Sequence, residues 1–214
     1  MQIYPPLVLI NNIIHEFFPY RGFTLVKNYN INDDEIISNM EKNGFIRIDG
    51  INEKNPRGNR NYIIMIIVKN IDNGNMDIKK IKKIIEDIDN DSRLDEVFLI
   101  VHRELFDKKN FIDIIKELHN SQKTEDDIYY TICPYHNFSF SVPKCKILVP
   151  HILMTKDEVS ELLQSERINI KDLPVILSND VNIVWNGGRV GEVVKIIRNS
   201  ESSLLSVVYR RIER

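Results

Sequence analysis

Two hydrophobic periods alternate along the chain. Leu7, Ile10, Ile14 and Phe17 fall at helical intervals, with Pro5 and Pro6 at the tolerant first turn and Pro19 predicted to end the helix. A second helix is predicted over about 33–43, with Asn32 as its cap, Ile36, Ile37 and Met40 facing inward, and Gly44 just past the end. The period then falls to two over Phe45–Asp49, followed by an unbroken apolar and β-branched run from Tyr62 to Val68. Between them, 52–61 holds Pro56 and Gly58 and reads as a loop. Three more elements repeat the alternation: an amphipathic helix over Asp77–Ile88 (Ile78, Ile81, Ile85 and Ile88 on one face), a strand over Val97–Val101 and a helix over Lys108–Leu118. A strand over Ile128–Cys133 closes the set. Strands that are apolar throughout and separated by helices predict an α/β layer structure whose sheet is buried on both faces.

Ser141–Pro150, with Pro143 and Pro150, reads as a connection, giving an N-terminal domain over 1–140, a linker over 141–150 and a small C-terminal domain over 151–214. Thr155-Lys156-Asp157-Glu158 is a capping box ahead of Val159, Leu162 and Leu163, so a helix starts there and Leu173-Pro174 is predicted to break it. Asn186-Gly187-Gly188 reads as a turn. Glu192–Arg198 and Leu204–Arg210 read as two strands joined by a turn over Asn199–Ser203, which makes the C-terminal domain α+β. On the first of these strands Val193, Lys195 and Ile197 alternate with Val194, Ile196 and Arg198, so both faces carry apolar residues. Either a partner covers the second face, or the helix and linker of the same chain do.

Composition narrows the possible functions. The chain's 214 residues can bury a core without staples. Its 29 Lys+Arg against 31 Asp+Glu leave a net charge of −2, which excludes a uniformly basic nucleic-acid binder. Two cysteines exclude a disulfide-rich scaffold and suit a reducing compartment. No apolar run reaches the roughly 18 residues of a membrane span, and Met1–Ile10 lacks a charged region before its apolar stretch, so a soluble intracellular protein without a membrane partner is expected. Alanine is absent while Ile, Asn and Lys abound, the mark of an A/T-biased genome.

The C-terminal part resembles the assembly domain of RNA polymerase subunit 5, a family whose C-terminal domain corresponds to a small polymerase subunit of archaea. The resemblance runs through Val149-Pro150-His151, Met154-Thr155-Lys156-x-Glu158, Leu173-Pro174-x-Ile176 and Gly191-x-Val193-Val194-Lys195-Ile196-Ile197-Arg198-x-Ser200-Glu201, then Tyr209-Arg210. Upstream, Arg21-Gly22-Phe23 looks like the family's Arg-Gly-Tyr. Pro134-Tyr135-His136 and Val184-Trp185-Asn186-Gly187-Gly188-Arg189 look more like versions encoded by large cytoplasmic DNA viruses, the African swine fever virus type in particular. Three departures stand out: Asp180 is followed by Val181 rather than proline, Asn199 takes a proline position, and Glu104-Leu105-Phe106-Asp107 replaces the family's jaw-face turn.

The resemblance implies a non-catalytic subunit of a DNA-directed RNA polymerase. Its N-terminal α/β domain would have the restriction-endonuclease-like layer fold, inactive, and form part of the lower jaw near downstream duplex DNA. Its α+β assembly domain would dock on the largest subunit. It further implies an interface over Val193, Val194, Lys195, Ile196, Ile197, Arg198, Tyr209 and Arg210, and weak, non-specific DNA contact at Arg103, Lys108 and Lys109. No cofactor is expected, because the polymerase Mg²⁺ and zinc ions belong to other subunits. A viral chain would work in the host cytoplasm and travel in the virion, a cellular one in the nucleus.

Other chemistry weighs less. Cys133-x2-His136 and Cys145-x5-His151 supply four zinc-type ligands, but the intervening residues do not form the tight glycine knuckles of structural sites. The alternative function is a free-standing nuclease-like DNA-processing protein. Such nucleases hold Mg²⁺ with an acid and a Glu-x-Lys on adjacent strands, and here Ile67-Val68-Lys69 keeps the lysine without the carboxylate. The run Lys79-Lys80-x-Lys82-Lys83 reads as the wet face of its helix, and the six basic against three acidic residues from Arg189 to Arg214 suit an acidic partner surface.

Overall fold

The apolar run that stands out in the sequence is the centre of the first sheet. A computed structural model describes residues 7–27, 38, 40, 42–54, 61–68, 83, 94–106, 109, 113, 116, 118, 127–200 and 204–214. The chain divides into two compact units, 1–140 and 141–214. Unit 1 holds a sheet in the order β1 (Thr24–Leu25), β2 (Phe45–Ile51), β3 (Tyr62–Val68), β4 (Leu94–Val101) and β5 (Tyr129–Pro134). β1, β2 and β3 are antiparallel neighbours, whereas β3, β4 and β5 run parallel. Every residue of β3 and β4 is buried, the state their continuous hydrophobicity predicts for a sheet covered on both faces. One face carries Ile64, Ile66, Val97, Leu99, Val101 and Ile132, with Leu118 packed against them. Phe17, Phe98 and Phe138 form a cluster of edge-on rings, with centroids 5.1–6.2 Å apart.

The first helix does not stop at Pro19. Helix α1 (Leu7–Asn12) passes through a π turn over Ile13–Phe17 into α2 (Phe18–Tyr20). The Phe18 N–H reaches the Ile13 carbonyl, so the ladder widens just before the residue that has no N–H to offer. This turn re-aims the apolar face: Leu9, Ile13 and Phe18 join Ile10, Ile14 and Phe17 in the core, while Leu7 is only half-buried. Termination falls to Gly22 at φ 75°, with Gly22 N–H to Pro19 O and Phe23 N–H to Phe18 O, and the Phe18 and Phe23 rings 6.1 Å apart. The Arg21-Gly22-Phe23 motif thus ends the helix and aims Arg21 inward. There Arg21 Nη2 bonds Glu96 Oε2 at 2.9 Å, Thr131 Oγ1 donates to Glu96 Oε1 at 2.8 Å, and the guanidinium lies 5.6 and 5.7 Å from the Phe17 and Phe23 ring centres.

Most of the three helices predicted over about 33–43, 77–88 and 108–118, and Asn32, lie outside the described residues. Met40 is buried, Lys83 is helical and exposed, and Lys109, Asp113, Lys116 and Leu118 are helical with only Leu118 half-buried. Lys69 and the remaining lysines of the 79–83 run are also outside them. Among the described residues no helix is long and apolar enough to cross a membrane.

Unit 2 is a four-stranded sheet in the order β6 (His151–Leu153), β8 (Val193–Ser200), β9 (Leu204–Glu213) and β7 (Val175–Leu177). Segment 141–150 belongs to this unit: Val149 packs on its core and the Pro150 carbonyl accepts from Ile197 N–H. The capping box forms, with Glu158 N–H to Thr155 Oγ1 at 3.2 Å and Thr155 N–H to Glu158 Oε2 at 2.7 Å, opening α4 (Lys156–Glu166). That helix ends seven residues before Leu173-Pro174, because Arg167 turns into the left-handed region at φ 55° and Ile168 N–H caps the Leu163 carbonyl.

The Asn186-Gly187-Gly188 segment is the end of a helix, α5 (Val181–Asn186). Gly187 sits at φ 71°, and a Cβ on Gly188 would lie 2.6 Å from Ile212 Cδ1 and 2.9 Å from Ile183 Cγ2. Asp180 caps α5 by accepting from Asn182 N–H at 2.9 Å, and Val181 occupies the first-turn position a proline would otherwise fill, so the departure there leaves the geometry intact. The hairpin strands pair out to Ser200–Leu204, so Asn199 and Ser200 belong to the strand rather than to the predicted turn, and 201–203 lie outside the described residues.

Removing the carboxylate that faces Arg21 should be costly. Glu96→Ala leaves a buried cation without its anion and is expected to lower stability by about 3–5 kcal/mol, measured by urea unfolding of the full chain.

Candidate subunit interface

Antiparallel pairing sorts the hairpin's side chains into two faces. Val194 lies opposite Arg210, Ile196 opposite Val208 and Arg198 opposite Ser206, with Leu153 and His151 of β6 in register on the same face. Val193 lies opposite Arg211, Lys195 opposite Tyr209 and Ile197 opposite Val207, with Ile152 beside Lys195. The first face closes on the unit's own core: Val194, Ile196 and Ile212 pack with Ile183 of α5, and Val149, Leu153 and Ile176 seal the edge.

This corrects three members of the expected interface. Val194 and Ile196 are 0% and 1% exposed in the free chain, so they have no surface to offer a partner. Val193 is on the opposite face yet is also 1% exposed. At its end of the sheet the chain folds back, with Arg211 Nε donating to the Ile170 carbonyl and Glu158 close enough to Lys195 to feel its charge. Lys195, Ile197, Tyr209 and Arg210 are partly accessible and Arg198 is exposed.

The accessible apolar surface lies on the other face, where the expected interface named Lys195, Ile197 and Tyr209 but not the most exposed apolar residues. Ile152 (48%), Val207 (43%) and Leu205 (60%) are exposed and flank half-buried Ile197. Leu205, Val207 and Tyr209 do alternate in the sequence, a legible signal once the pairing to β8 is known. Ile152 belongs to a three-residue strand too short to show a period.

The structure also locates the basic candidates. Arg103 is exposed at the start of α3 (Arg103–Phe106), and Leu105 of that turn anchors it in the core. β4 and β5 are parallel neighbours, so their carboxyl ends bring Arg103 near His136, whose pKa is lowered by partial burial and by that guanidinium. Exposed Lys109 follows in the next helix, and Lys108 lies outside the described residues.

Nothing among the described residues assembles a metal centre. No group of three or more His, Cys, Asp or Glu side chains converges there. Burial pushes the Cys133 thiol well above its usual range, away from the thiolate a metal needs, and His151 Nδ1 lies 2.7 Å from the Val149 carbonyl. β3 offers no carboxylate along its whole length, which leaves the nuclease reading without a hard-cation ligand on that strand.

Comparison with known proteins bears on the same C-terminal region. The family model described as RNA polymerase Rpb5, C-terminal domain, matches residues 140–212. The chain is 30% identical over 204 residues to the African swine fever virus protein named DNA-directed RNA polymerase RPB5 homolog, covering 93% of each chain. It belongs to the RPB5 family. Shorter matches are 40% identity over 67 residues to the Methanocaldococcus jannaschii subunit Rpo5 (31% of this chain, 86% of that one). The Dictyostelium discoideum subunit rpabc1, of DNA-directed RNA polymerases I, II and III, is 44% identical over 64 residues (29% and 32%).

The two faces of the hairpin are separable by mutation. Val194→Asp buries an unpaired charge and should cost about 3–5 kcal/mol, whereas exposed Val207→Asp should stay within about 0.5 kcal/mol of the parent. Urea unfolding of each variant decides between them.

Proposed function

We propose that this chain is a non-catalytic subunit of a DNA-directed RNA polymerase that docks on the largest subunit through unit 2. The observation that carries the reading is the apolar stripe of Ile152, Ile197, Val207 and Leu205, left open on the outer face of the hairpin within the region that matches the family. Such a stripe is a liability for a free protein and suits a covered interface. Unit 1 is read as the lower-jaw domain, a restriction-endonuclease-like layer fold that has lost its cation ligands. The antiparallel run of β1 to β3 followed by parallel β4 and β5 is consistent with that. Nucleotide addition, with its Mg²⁺, belongs to other subunits.

The basic end of β4 and β5 faces duplex DNA in this reading, and Arg103, Lys109 and His136 supply phosphate contacts that carry no sequence information. Lys108 adds to them from the adjoining sequence.

Two measurements test the proposal. Ile152→Asp combined with Val207→Asp should abolish co-purification with the remaining polymerase subunits while the variant's urea midpoint stays at the parental value. Full retention in the complex would overturn the docking surface. In the assembled enzyme, Arg103→Glu with Lys109→Glu should reduce the salt dependence of downstream-DNA binding by about one unit of slope per lost phosphate contact. An unchanged slope would remove DNA contact from this end of the sheet.

A further inference from the structure

The outer strand of the hairpin is only half-paired on its far side. β7 covers β9 at Arg211–Glu213 and no further. The hydrogen bonds show which backbone groups this leaves. Ile212 N–H points to β8 through the Glu192 carbonyl, while Arg211 N–H points to β7 through the Pro174 carbonyl. Strand alternation then directs the N–H and C=O groups of Val207 and Tyr209 away from β8, along the line that β7 would follow if it were longer. Among the described residues no strand pairs with them. These are four backbone groups held in extended geometry beside the exposed apolar stripe.

We infer that this open edge of β9, at Val207 and Tyr209, receives an extended strand of the partner subunit whose side chains alternate apolar and acidic. The inference rests on the docking reading above and gives it a geometry. An added strand satisfies the unpaired groups, and its alternate side chains then fall on the two faces already described. On the outer face its neighbours along β9 are Leu205, Val207 and Tyr209, with Ile197 one strand further in, and these call for apolar residues. On the opposite face its neighbours along β9 are Ser206, Val208 and Arg210, with Arg198, one strand further in, opposite Ser206. Arg210 Nη1 donates to the Val175 carbonyl, and neither arginine has a carboxylate partner among the described residues, which calls for acidic ones. A second copy of this chain fits poorly: Leu204–Ile212 contains Arg210 and Arg211 and no acid, so it has no carboxylate to offer these arginines.

The test is amide hydrogen exchange on the full chain, free and assembled with the co-expressed remaining subunits of its polymerase. Strand addition predicts that the Val207 and Tyr209 amides slow by about 100-fold on assembly. It also predicts that Val207→Pro, which removes an outward N–H while sparing the β8 ladder, loses at least about 10-fold in assembled fraction. Arg198→Glu with Arg210→Glu should lose a comparable amount, more at low salt than at high. Co-purification with unchanged exchange at both amides would overturn strand addition while leaving face docking in place. Failure of the parent chain to co-purify would overturn both, and protection of the two amides in a homodimer would assign the edge to a second copy.

Discussion

Ile212 and Ile183 close around Gly188 and press Val194 and Ile196 inward, and the surface chemistry of unit 2 follows from that contact. A four-stranded sheet this small has two helices, α4 and α5, and a connecting segment with which to cover itself. Once α5 and the 149–153 segment have sealed one face, too little chain remains to cover the other beyond the end near Val193. The apolar residues left on the open face are therefore the product of packing on the closed one. What makes the module a stable unit also makes it incomplete as a surface.

Unit 1 solves the opposite problem. Its central strands are apolar on both faces and both faces are occupied, so the polar groups that enter must be paired internally. Glu96 does so with Arg21 and Thr131, and the chain conformation that delivers Arg21 is set by a glycine one residue later rather than by the proline that precedes it. The buried ion pair, the π turn and the Phe17–Phe98–Phe138 cluster are parts of one arrangement that pins the first helix to the sheet. The polar chemistry of this unit is consequently displaced to strand ends, where Arg103 and His136 meet.

Membership of the RPB5 family and the layout of the proposed interface came from different kinds of information. The family is carried by residues whose order and spacing persist in sequence, such as Leu173-Pro174-x-Ile176 and the Val193–Arg198 strand. Several of those residues turn out to be core: Leu173, Val193, Val194 and Ile196 are all buried. A motif of apolar residues fits most readily where it packs against its own chain, so resemblance marked the interior of the hairpin along with Lys195, Ile197 and Tyr209 of its open side, and left out Ile152, Leu205 and Val207.

Read alone, the sequence determined the strands with long apolar or alternating runs, the capping box at Thr155, the division near 140, and the family. Each of these depends on interactions between residues close in the chain, or on a pattern long enough to show its period. Only the tertiary structure decided which face of the β8–β9 hairpin is covered, that Arg167 rather than Leu173-Pro174 ends α4, and that β7 stops short along β9. Those outcomes depend on α5, β6 and β7 meeting the hairpin from distant parts of the chain. A period-2 strand with apolar residues on both sides carries no local mark of which side its own fold will bury.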